Sequence, residues 1–349
     1  MIMAFSVSVQ PSGKQFDVNS DEHVLEAALR QGIVIPYGCK NGACGSCKAK
    51  VLSGEFEQDA YSANALRPEE AARGLALMCR CRPKSPMTIE ARVVMAGDIQ
   101  VRKMPCRVAS LQRVAPDVVI AQLQLPANEK LQYLAGQFLE IILRDGTRRS
   151  YSMASAPHLA EKIELHLRHM PGGRFTDTVF GVVQPALKVR DILRFEGPMG
   201  TFFLREDSDK PIVLLASGTG FGPIKAVIEH AIHKSISRPM TLYWGGRRPQ
   251  DLYLSSLCEQ WARELPHFTY IPVISDALPQ DGWQGRDGFV HRAVMQDFAD
   301  LSAYQVYACG APIVVDSARI EFIASCRLPD DEFFADSFTT AADLAQSAP

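Results

Sequence analysis

The sequence contains GCKNGACGSC at residues 38–47, in which three cysteines have the spacing Cys39-x4-Cys44-x2-Cys47. A fourth cysteine, Cys79, follows later in the chain. A loop that turns tightly around several sulfur atoms needs unusual backbone angles and little side-chain bulk. Three glycines are expected to meet this need: Gly38, Gly42 and Gly45. Such a loop points backbone N–H groups at thiolate sulfurs, so it predicts a site for a metal cluster.

The spacing of the cysteines distinguishes this site from other thiol sites. A C-x4-C-x2-C loop with a distant fourth cysteine is typical of plant-type [2Fe–2S] clusters. The alternatives are buried free cysteines or zinc, but zinc usually draws on two C-x2-C pairs or on histidine, and this loop has one such pair. From the residues alone the fourth ligand is Cys79 or Cys81, because residues two apart in a strand face the same side.

Composition excludes several classes of protein. The 349 residues suffice for two or three domains, and 37 Lys and Arg against 39 Asp and Glu give a net charge of −2. This balance favours neither nucleic acid nor an acidic membrane as a partner. The N-terminus lacks the pattern of a signal peptide, and no apolar run is long enough to cross a bilayer. Five of the nine cysteines cluster within residues 39–81 rather than spread as in a disulfide framework, so a cytoplasmic protein is expected.

The periodicity of hydrophobic residues changes twice along the chain. Alternating residues in 5–18 predict a hairpin, and 22–31 a short helix. The pattern weakens at 97–105, which predicts a linker. From 106 to about 204 short strands follow at a spacing typical of barrels, and from 211 the order strand–helix–strand predicts a parallel sheet.

The middle segment carries a candidate flavin site. In Arg149-Ser150-Tyr151-Ser152 the arginine can pair with a diphosphate and the tyrosine offers a face to a flat ring. The alternative is a solvated arginine and an ordinary strand tyrosine. Downstream, Gly172-Gly173 precedes a predicted helix start, where free N–H groups can bind an anion.

The last segment carries a candidate nucleotide site. A strand runs into SGTGFG at residues 217–222 and then into a helix, the context in which glycines let the backbone approach a diphosphate; the alternative is a purely structural turn. Arg247 and Arg248 stand where an acid would bind the ribose, which leaves NADH and NADPH both open. Cys309-Gly310 ends a strand at the carboxyl edge of the sheet, where a buried structural cysteine is the alternative.

Together these motifs resemble the ferredoxin–NADP reductase superfamily, and more closely its fused members. Those members include CDP-6-deoxy-delta-3,4-glucoseen reductases and oxygenase reductase components. The resemblance covers residues 4–338 and includes RHMPGGRFTD and LLASGTGFGPIKA. It implies a multidomain α+β and α/β protein: a β-grasp [2Fe–2S] ferredoxin domain at 1–96, a six-stranded antiparallel β-barrel flavin domain at 102–206, a Rossmann-like parallel α/β nicotinamide domain at 207–340, and a flexible tail at 341–349.

The resemblance also implies roles for individual residues. The cluster ligands would be Cys39, Cys44, Cys47 and Cys79. The set at FAD would be Arg149 on the diphosphate, Tyr151 against the ring, Ser152 near N5, and Gly172, Gly173, Arg174, Phe175 and Thr176 over the diphosphate. His166 and Arg168 would be further cofactor-binding residues. The set at the nicotinamide nucleotide would be Gly218, Thr219, Gly220, Arg247, Cys309 and Gly310. Phe338 would shield the flavin, and the catalytic set would be Ser152, Cys309, Asp336 and Phe338. Neither His166 nor His169 is expected to ligate a metal.

The implied function is that of an NAD(P)H-dependent oxidoreductase. Electrons would pass from NADH, or from NADPH, to FAD, to the [2Fe–2S] cluster and then to a protein partner. FAD is expected rather than FMN because the ferredoxin domain comes first. The partner would be a Rieske or other terminal oxygenase, or alternatively a nucleotide-sugar dehydratase. A non-catalytic electron carrier is the alternative of another class.

Overall fold

Two units make up the part of the chain that the computed structural model describes, residues 4–94, 99–159 and 161–338. The first comprises the described residues up to 94 together with 336–338, and the second comprises Ile99–Ala335. Among the described residues, no helix is both long and apolar enough to cross a lipid bilayer. The predicted tail at 341–349 lies outside the described residues, as does part of the predicted linker.

The first unit is built on a mixed sheet. Its elements are β1 (Ala4–Gln10), β2 (Lys14–Asn19), α1 (Val24–Arg30), β3 (Lys48–Ser53), β4 (Phe56–Gln58), α2 (Pro68–Ala72), β5 (Leu75–Leu77), β6 (Cys81–Pro83) and β7 (Met87–Glu90). The sheet order is β2-β1-β7-β3-β5, with β1 and β7 parallel and the other pairs antiparallel. Strands β4 and β6 form a separate pair. The predicted hairpin and helix are confirmed, and the arrangement agrees with the predicted β-grasp domain.

The next segment is a six-stranded antiparallel sheet. Its elements are β8 (Arg102–Ala115), β9 (Val118–Gln124), β10 (Phe138–Ile142), β11 (Arg148–Ser152), β12 (Lys162–Arg168), α3 (Thr176–Val179) and β13 (Ile192–Met199). The order is β11-β10-β13-β8-β9-β12, and all five pairs are antiparallel. A single bridge between Met153 and Leu165 links the segment after β11 to β12, the opposite edge.

Strand β8 corrects the predicted linker at 97–105, because it already begins at Arg102. Met104, Cys106 and Val108 are buried at alternate positions, while Pro105 and Arg107 between them, and Lys103 before them, are exposed. This is the period-two pattern of a strand with one face on the core. The basic residues belong to the solvent face rather than to a linker.

The last segment is a sheet with helices between its strands, as predicted. Its elements are β14 (Ile212–Ser217), α4 (Phe221–His233), β15 (Met240–Gly246), α5 (Ser255–Glu264), β16 (Phe268–Ile274), β17 (Arg286–Asp287), α6 (Val290–Asp297), β18 (Gln305–Gly310), α7 (Pro312–Ser325) and β19 (Phe333–Ser337). The order is β17-β16-β15-β14-β18-β19, and the pairs among the first five strands are parallel. The carboxyl ends of β14, β15 and β18 therefore meet at one edge, where ligands bind in open α/β sheets.

Candidate functional site

The loop at residues 38–47, called the cluster loop below, brings its thiols together. The backbone N–H of Cys39 donates to Cys44 Sγ, and that of Ala43 donates to Cys39 Sγ, each over 3.4 Å. Cys47 Sγ lies 3.2 Å from Cys79 Sγ. The predicted N–H contacts to sulfur are present, and the four thiols lie as two pairs, Cys39 with Cys44 and Cys47 with Cys79.

The glycines of the cluster loop differ in what they contribute. Gly42 and Gly45 have φ angles of 81° and 72°, in the left-handed region that other residues rarely adopt. Gly38 does not share this conformation, contrary to the expectation of unusual angles at all three positions. It is needed for space instead, because a Cβ there would lie 3.3 Å from Cys44 Sγ.

Within each pair one thiol ionises more readily than the other. A hydrogen bond from Cys44 lowers the pKa of Cys39 to about 7, and a hydrogen bond from Cys47 lowers the pKa of Cys79. The same hydrogen bonds, together with burial, raise the pKa of Cys44 and of Cys47. Thiolate is the form that binds metal, so each pair already favours one thiolate.

The donor set fits a two-iron cluster better than a single metal ion. Among the described residues, no group of three His, Cys, Asp or Glu side chains is arranged to hold one metal ion. In a [2Fe–2S] cluster each iron takes two of the four thiolates, which matches two pairs. Beside these pairs, Arg80 Nε is buried without a hydrogen-bond partner.

Cys81 lies apart from these pairs. It begins β6, opposite Gln58, and burial alone raises the pKa of its thiol to about 12. Cys79 precedes this strand in a turn, where its sulfur contacts Cys47. The structure thus brings Cys79, not Cys81, to the other thiols.

Strand β11 positions the predicted flavin residues. Tyr151 is half-buried, with its ring centroid 5.5 Å from that of Phe175, and burial raises the pKa of Tyr151. Arg149 donates to the carbonyl of Arg148 over 2.8 Å, and Ser152 is buried at the end of the strand. A tyrosine face and an arginine on one strand can hold a flat ring and its phosphates.

The double glycine forms a tight turn before α3. The N–H of Gly173 donates to the carbonyl of Met170 over 2.7 Å, so this N–H is already engaged within the turn. Gly172 has a φ of 79° and open space around it. Thr176 Oγ1 donates back to Met170 O over 3.1 Å, and Arg174 pairs with Asp145.

The segment at residues 217–222, called the nucleotide turn below, packs against the end of β18. A Cβ on Gly220 would lie 2.2 Å from the carbonyl oxygen of Cys309. Gly310 closes the contact from the other side, since a Cβ there would lie 2.5 Å from Ser217 O. Thr219 is buried between these contacts. The turn is therefore shaped by a neighbouring strand, which leaves a backbone cradle in front of helix α4.

The remaining predicted residues lie around this cradle or at the C-terminus. Arg168, on β12, reaches the turn: its Nη1 lies 2.8 Å from where a Cβ on Gly218 would be. Arg247 is exposed just after β15, whereas the neighbouring Arg248 pairs with Asp276 and Asp281. The side chain of Cys309 is fully buried. In the first unit Asp336 is buried and Phe338 half-buried.

A chain of contacts links strand β12 to the nucleotide turn, and of its residues the sequence predicts only His166. Trp244 Nε1 donates to Gly218 O over 3.0 Å, and its ring meets Tyr253 edge-on. Tyr253 hydrogen-bonds His166 over 2.8 Å, and His166 bonds Glu164 over 3.0 Å.

Glu164 in turn forms an ion pair with Lys225 on α4 over 3.1 Å. Lys225 also pairs with Glu229 over 2.7 Å and donates to Ala154 O. Two spacings could have revealed these residues: Lys225 and Glu229 stand four apart on a helix, and Glu164 and His166 two apart on a strand.

Three family models match successive parts of the chain. The 2Fe-2S iron-sulfur cluster binding domain matches residues 7–84, the oxidoreductase FAD-binding domain 105–204 and the oxidoreductase NAD-binding domain 214–319. The predicted cofactors, a [2Fe–2S] cluster, FAD and NADH, are thereby confirmed. The finer domain boundaries given above stay predictions.

Relatives match the chain over almost its whole length. It is 41% identical to CDP-6-deoxy-L-threo-D-glycero-4-hexulose-3-dehydrase reductase of Yersinia pseudotuberculosis, over 96% of this chain and 99% of that protein. It is 37% identical to the terephthalate 1,2-dioxygenase reductase component 2 of Comamonas sp, over 97% and 98%. The crystal structure of an Amycolatopsis cytochrome P450 reductase superposes with a TM-score of 0.74 at 33% identity, covering 97% of this chain and 99% of that one.

Three domains in this order define an iron–sulfur flavoprotein reductase, an NAD(P)H oxidoreductase. The relatives carry the same architecture from end to end. The chain belongs to the family of fused ferredoxin–flavin–nicotinamide reductases that includes the hexulose-dehydrase reductases and the oxygenase reductase components.

Proposed function

We propose that this chain is the reductase component of a two-protein system and passes electrons from NADH to a separate acceptor protein. The observation that carries the proposal is the arrangement of the thiol pairs on the first unit. Cys47 and Cys79 are buried, whereas Cys39 and Cys44 are only half-buried. A cluster held by both pairs would be sheltered on one side and open to an acceptor on the other.

The four paired cysteines are the proposed ligands of the cluster. When bound, FAD takes a hydride from NADH and the cluster carries single electrons, so the redox chemistry belongs to the cofactors. The protein supplies thiolates, N–H groups aimed at sulfur, and a rigid loop. Each of these helps to fix the reduction potential of an iron–sulfur centre.

The flavin and nucleotide residues keep the roles that the resemblance implies. Arg149 and the turn at 172–176 would hold the FAD diphosphate, Tyr151 would lie against the ring, and Ser152 would hydrogen-bond near its reactive nitrogen. The half-buried Tyr151 packed on Phe175 supports this, because the core fixes the ring plane.

The cradle of the nucleotide turn would bind the nucleotide diphosphate, with His166 and Arg168 reaching it from β12. Cys309 and Gly310 would lie beside the nicotinamide. Phe338 would shield the flavin and move aside for the nicotinamide, with Asp336 next to it in the chain. Removal of the Phe338 ring would therefore change kcat and leave the FAD content of the protein unchanged.

Two acceptor classes follow from the relatives. A terminal oxygenase, of the Rieske or another type, is supported by the dioxygenase and monooxygenase reductase components at 37% to 30% identity. A dehydrase acting on a nucleotide-linked hexulose is the second candidate, because the Yersinia pseudotuberculosis relative named for it reaches 41%. The chemistry inside the reductase is the same for both.

Anaerobic titration with NADH, followed by visible and EPR spectroscopy, tests the proposal. We expect bleaching of flavin bands and then the EPR signal of a reduced [2Fe–2S] cluster, with NADPH as the parallel titrant. A purified chain without flavin bands, or without bleaching by either nucleotide, would identify a non-catalytic electron carrier instead. Turnover with a purified oxygenase and with a purified dehydrase then separates the acceptors.

A further inference from the structure

Arg80 lies across the cluster loop. It follows Cys79 directly, and its Nη2 donates to the carbonyl of Asn41 over 2.9 Å. Its Cγ and Nε both lie 3.0 Å from where a Cβ on Gly42 would be. The guanidinium is thus held against the backbone between Cys39 and Cys44.

The charge on Arg80 is not neutralised by a carboxylate. Among the residues that the structure describes, no Asp or Glu lies within ion-pair distance of Arg80, and its Nε is buried without a hydrogen-bond partner. Arg82, two residues on, pairs instead with Asp59 over 2.9 Å. A partly buried cation without a counter-charge is costly unless other negative charge lies near it.

The negative charge near Arg80 would come from the thiolates. Arg80 adjoins Cys79 in the chain, and Cys79 Sγ lies 3.2 Å from Cys47 Sγ. The Arg80 side chain crosses to the carbonyl of Asn41, between Cys39 and Cys44. Arg80 therefore adjoins the buried pair, while its side chain touches the loop that bears the half-buried pair.

We propose that Arg80 sets the reduction potential of the cluster. One-electron reduction adds one negative charge without a bond or a proton, and a fixed positive charge favours that reduced state. The electron comes from NADH through the established reductase activity. The inference rests on the proposed ligands Cys39, Cys44, Cys47 and Cys79.

The test is an EPR-monitored redox titration of the full-length holoenzyme and its variants, with dithionite and mediators. Arg80→Gln and Arg80→Met remove the charge, and Arg80→Lys keeps it without the guanidinium fork. We expect the equilibrium constant for reducing the cluster to fall about tenfold in the two uncharged variants, a shift of about 59 mV for one electron. Arg80→Lys should stay within about twofold of wild type.

Arg82→Gln is the matched control, because it removes a positive charge two residues away that is already paired with Asp59. Its potential should stay close to that of wild type. The proposal is overturned if the reduction potential of Arg80→Lys falls as far as that of Arg80→Gln, or if both uncharged variants keep the wild-type potential. It is also overturned if neither uncharged variant retains a cluster. The EPR signal of the reduced wild-type enzyme tests the cluster itself, so failure of the proposed function is distinguishable.

Discussion

The cluster loop and the nucleotide turn are both rich in glycine, but their glycines meet different requirements. In the cluster loop Gly42 and Gly45 adopt positive φ angles, so the constraint lies in the backbone of the loop itself. Gly218 in the nucleotide turn also has a positive φ, of 55°, but Gly220 has a φ of −58°. It is required because the carbonyl of Cys309, far along the chain, occupies the place where a Cβ would stand.

This difference explains why one region is easy to read from sequence and the other is not. The cluster loop encodes its shape within ten residues and needs one distant cysteine. The nucleotide turn is shaped by its packing against β18. Trp244, Tyr253 and Lys225 connect it to β12. Substitutions should therefore act locally in the first region and at long range in the second.

Cys44→Ala should have the largest effect of the changes considered. Loss of one thiolate removes the cluster, and cytochrome c reduction by NADH should fall by more than about 100-fold, beyond the 10–100-fold typical of outer residues around a metal. Ferricyanide reduction through the flavin should stay within about twofold of wild type, since the FAD and NADH sites are untouched. Iron content and both activities are measured together.

Cys81→Ala is the control for Cys44→Ala. Its thiol is buried away from the two pairs and its pKa is raised to about 12, so the variant should keep its cluster. Loss of both activities in a Cys44→Ala protein that still binds FAD would contradict the proposed electron order. Loss of the cluster in Cys81→Ala would contradict the choice of Cys79.

Gly220→Ala should show the long-range character of the nucleotide turn. The added methyl group must displace the Cys309 carbonyl, and overpacking of this kind costs about 1–3 kcal/mol of unfolding free energy. The KM for NADH should rise about tenfold if about 1.4 kcal/mol of that strain falls on the bound state. Urea unfolding and steady-state kinetics measure the two effects.

Gly222→Ala, two residues on, provides the comparison. A Cβ there meets Ala154 and His166 at ordinary contact distances of 3.4 Å, and the residue lies in the first turn of α4. Alanine favours a helix over glycine by up to about 1 kcal/mol, so stability should hold or rise. If both variants lose the same unfolding free energy, any side chain in the turn is destabilising, and the contact with β18 is not the specific cause.

Much of the fold follows from local patterns. The cysteine spacing, the strand–glycine–helix order and the alternation of buried residues predict three domains in the order in which the three family models match the chain. The start of strand β8 is not predicted, because the basic residues Arg102 and Lys103 suggest a linker. The alternation of Met104, Cys106 and Val108 after them is the signal of the strand.

The polar residues behind the site could not be predicted in the same way. Lys225 on α4 reads as one charged residue on a largely apolar helix, and only the fold brings it against Glu164. Arg80 likewise reads as an ordinary arginine beside Cys79, and its contact with Asn41 depends on the folded loop. Such contacts depend on tertiary structure, which residue spacing does not report.

The contacts around His166 should make the nucleotide region sensitive to pH. Burial first of all, and the charge of Lys225 among further causes, lower the pKa of His166, although Glu164 acts in the opposite direction. A histidine whose folded pKa lies below its unfolded value of 6.5 stabilises the fold above that pH, and the stabilisation is lost as the pH falls.

Replacing His166 with glutamine should remove that dependence. Wild type should lose up to about 1.4 kcal/mol of unfolding free energy through this group between pH 6.5 and 5.5, and His166→Gln should lose less over the same interval. His267→Gln, a half-buried histidine before β16, is the control and should follow wild type. Identical pH slopes for His166→Gln and wild type would show that His166 stays neutral or stays charged throughout.

The smallest effect is expected at the two arginines after β15. Arg247 is exposed, whereas Arg248 is held by Asp276 and Asp281. Arg247 is therefore the residue available to a 2′-phosphate, and an exposed ion pair is worth at most about 1 kcal/mol. Arg247→Ala should lower kcat/KM for NADPH by up to about fivefold and leave that for NADH unchanged.

Arg248→Ala is the control. It should leave the ratio of kcat/KM for NADPH to kcat/KM for NADH at its wild-type value, because the charge of Arg248 is already paired. If Arg247→Ala lowers kcat/KM equally for both nucleotides, Arg247 acts on the diphosphate that NADH and NADPH share. The diphosphate site would then extend along the sheet edge beyond the nucleotide turn.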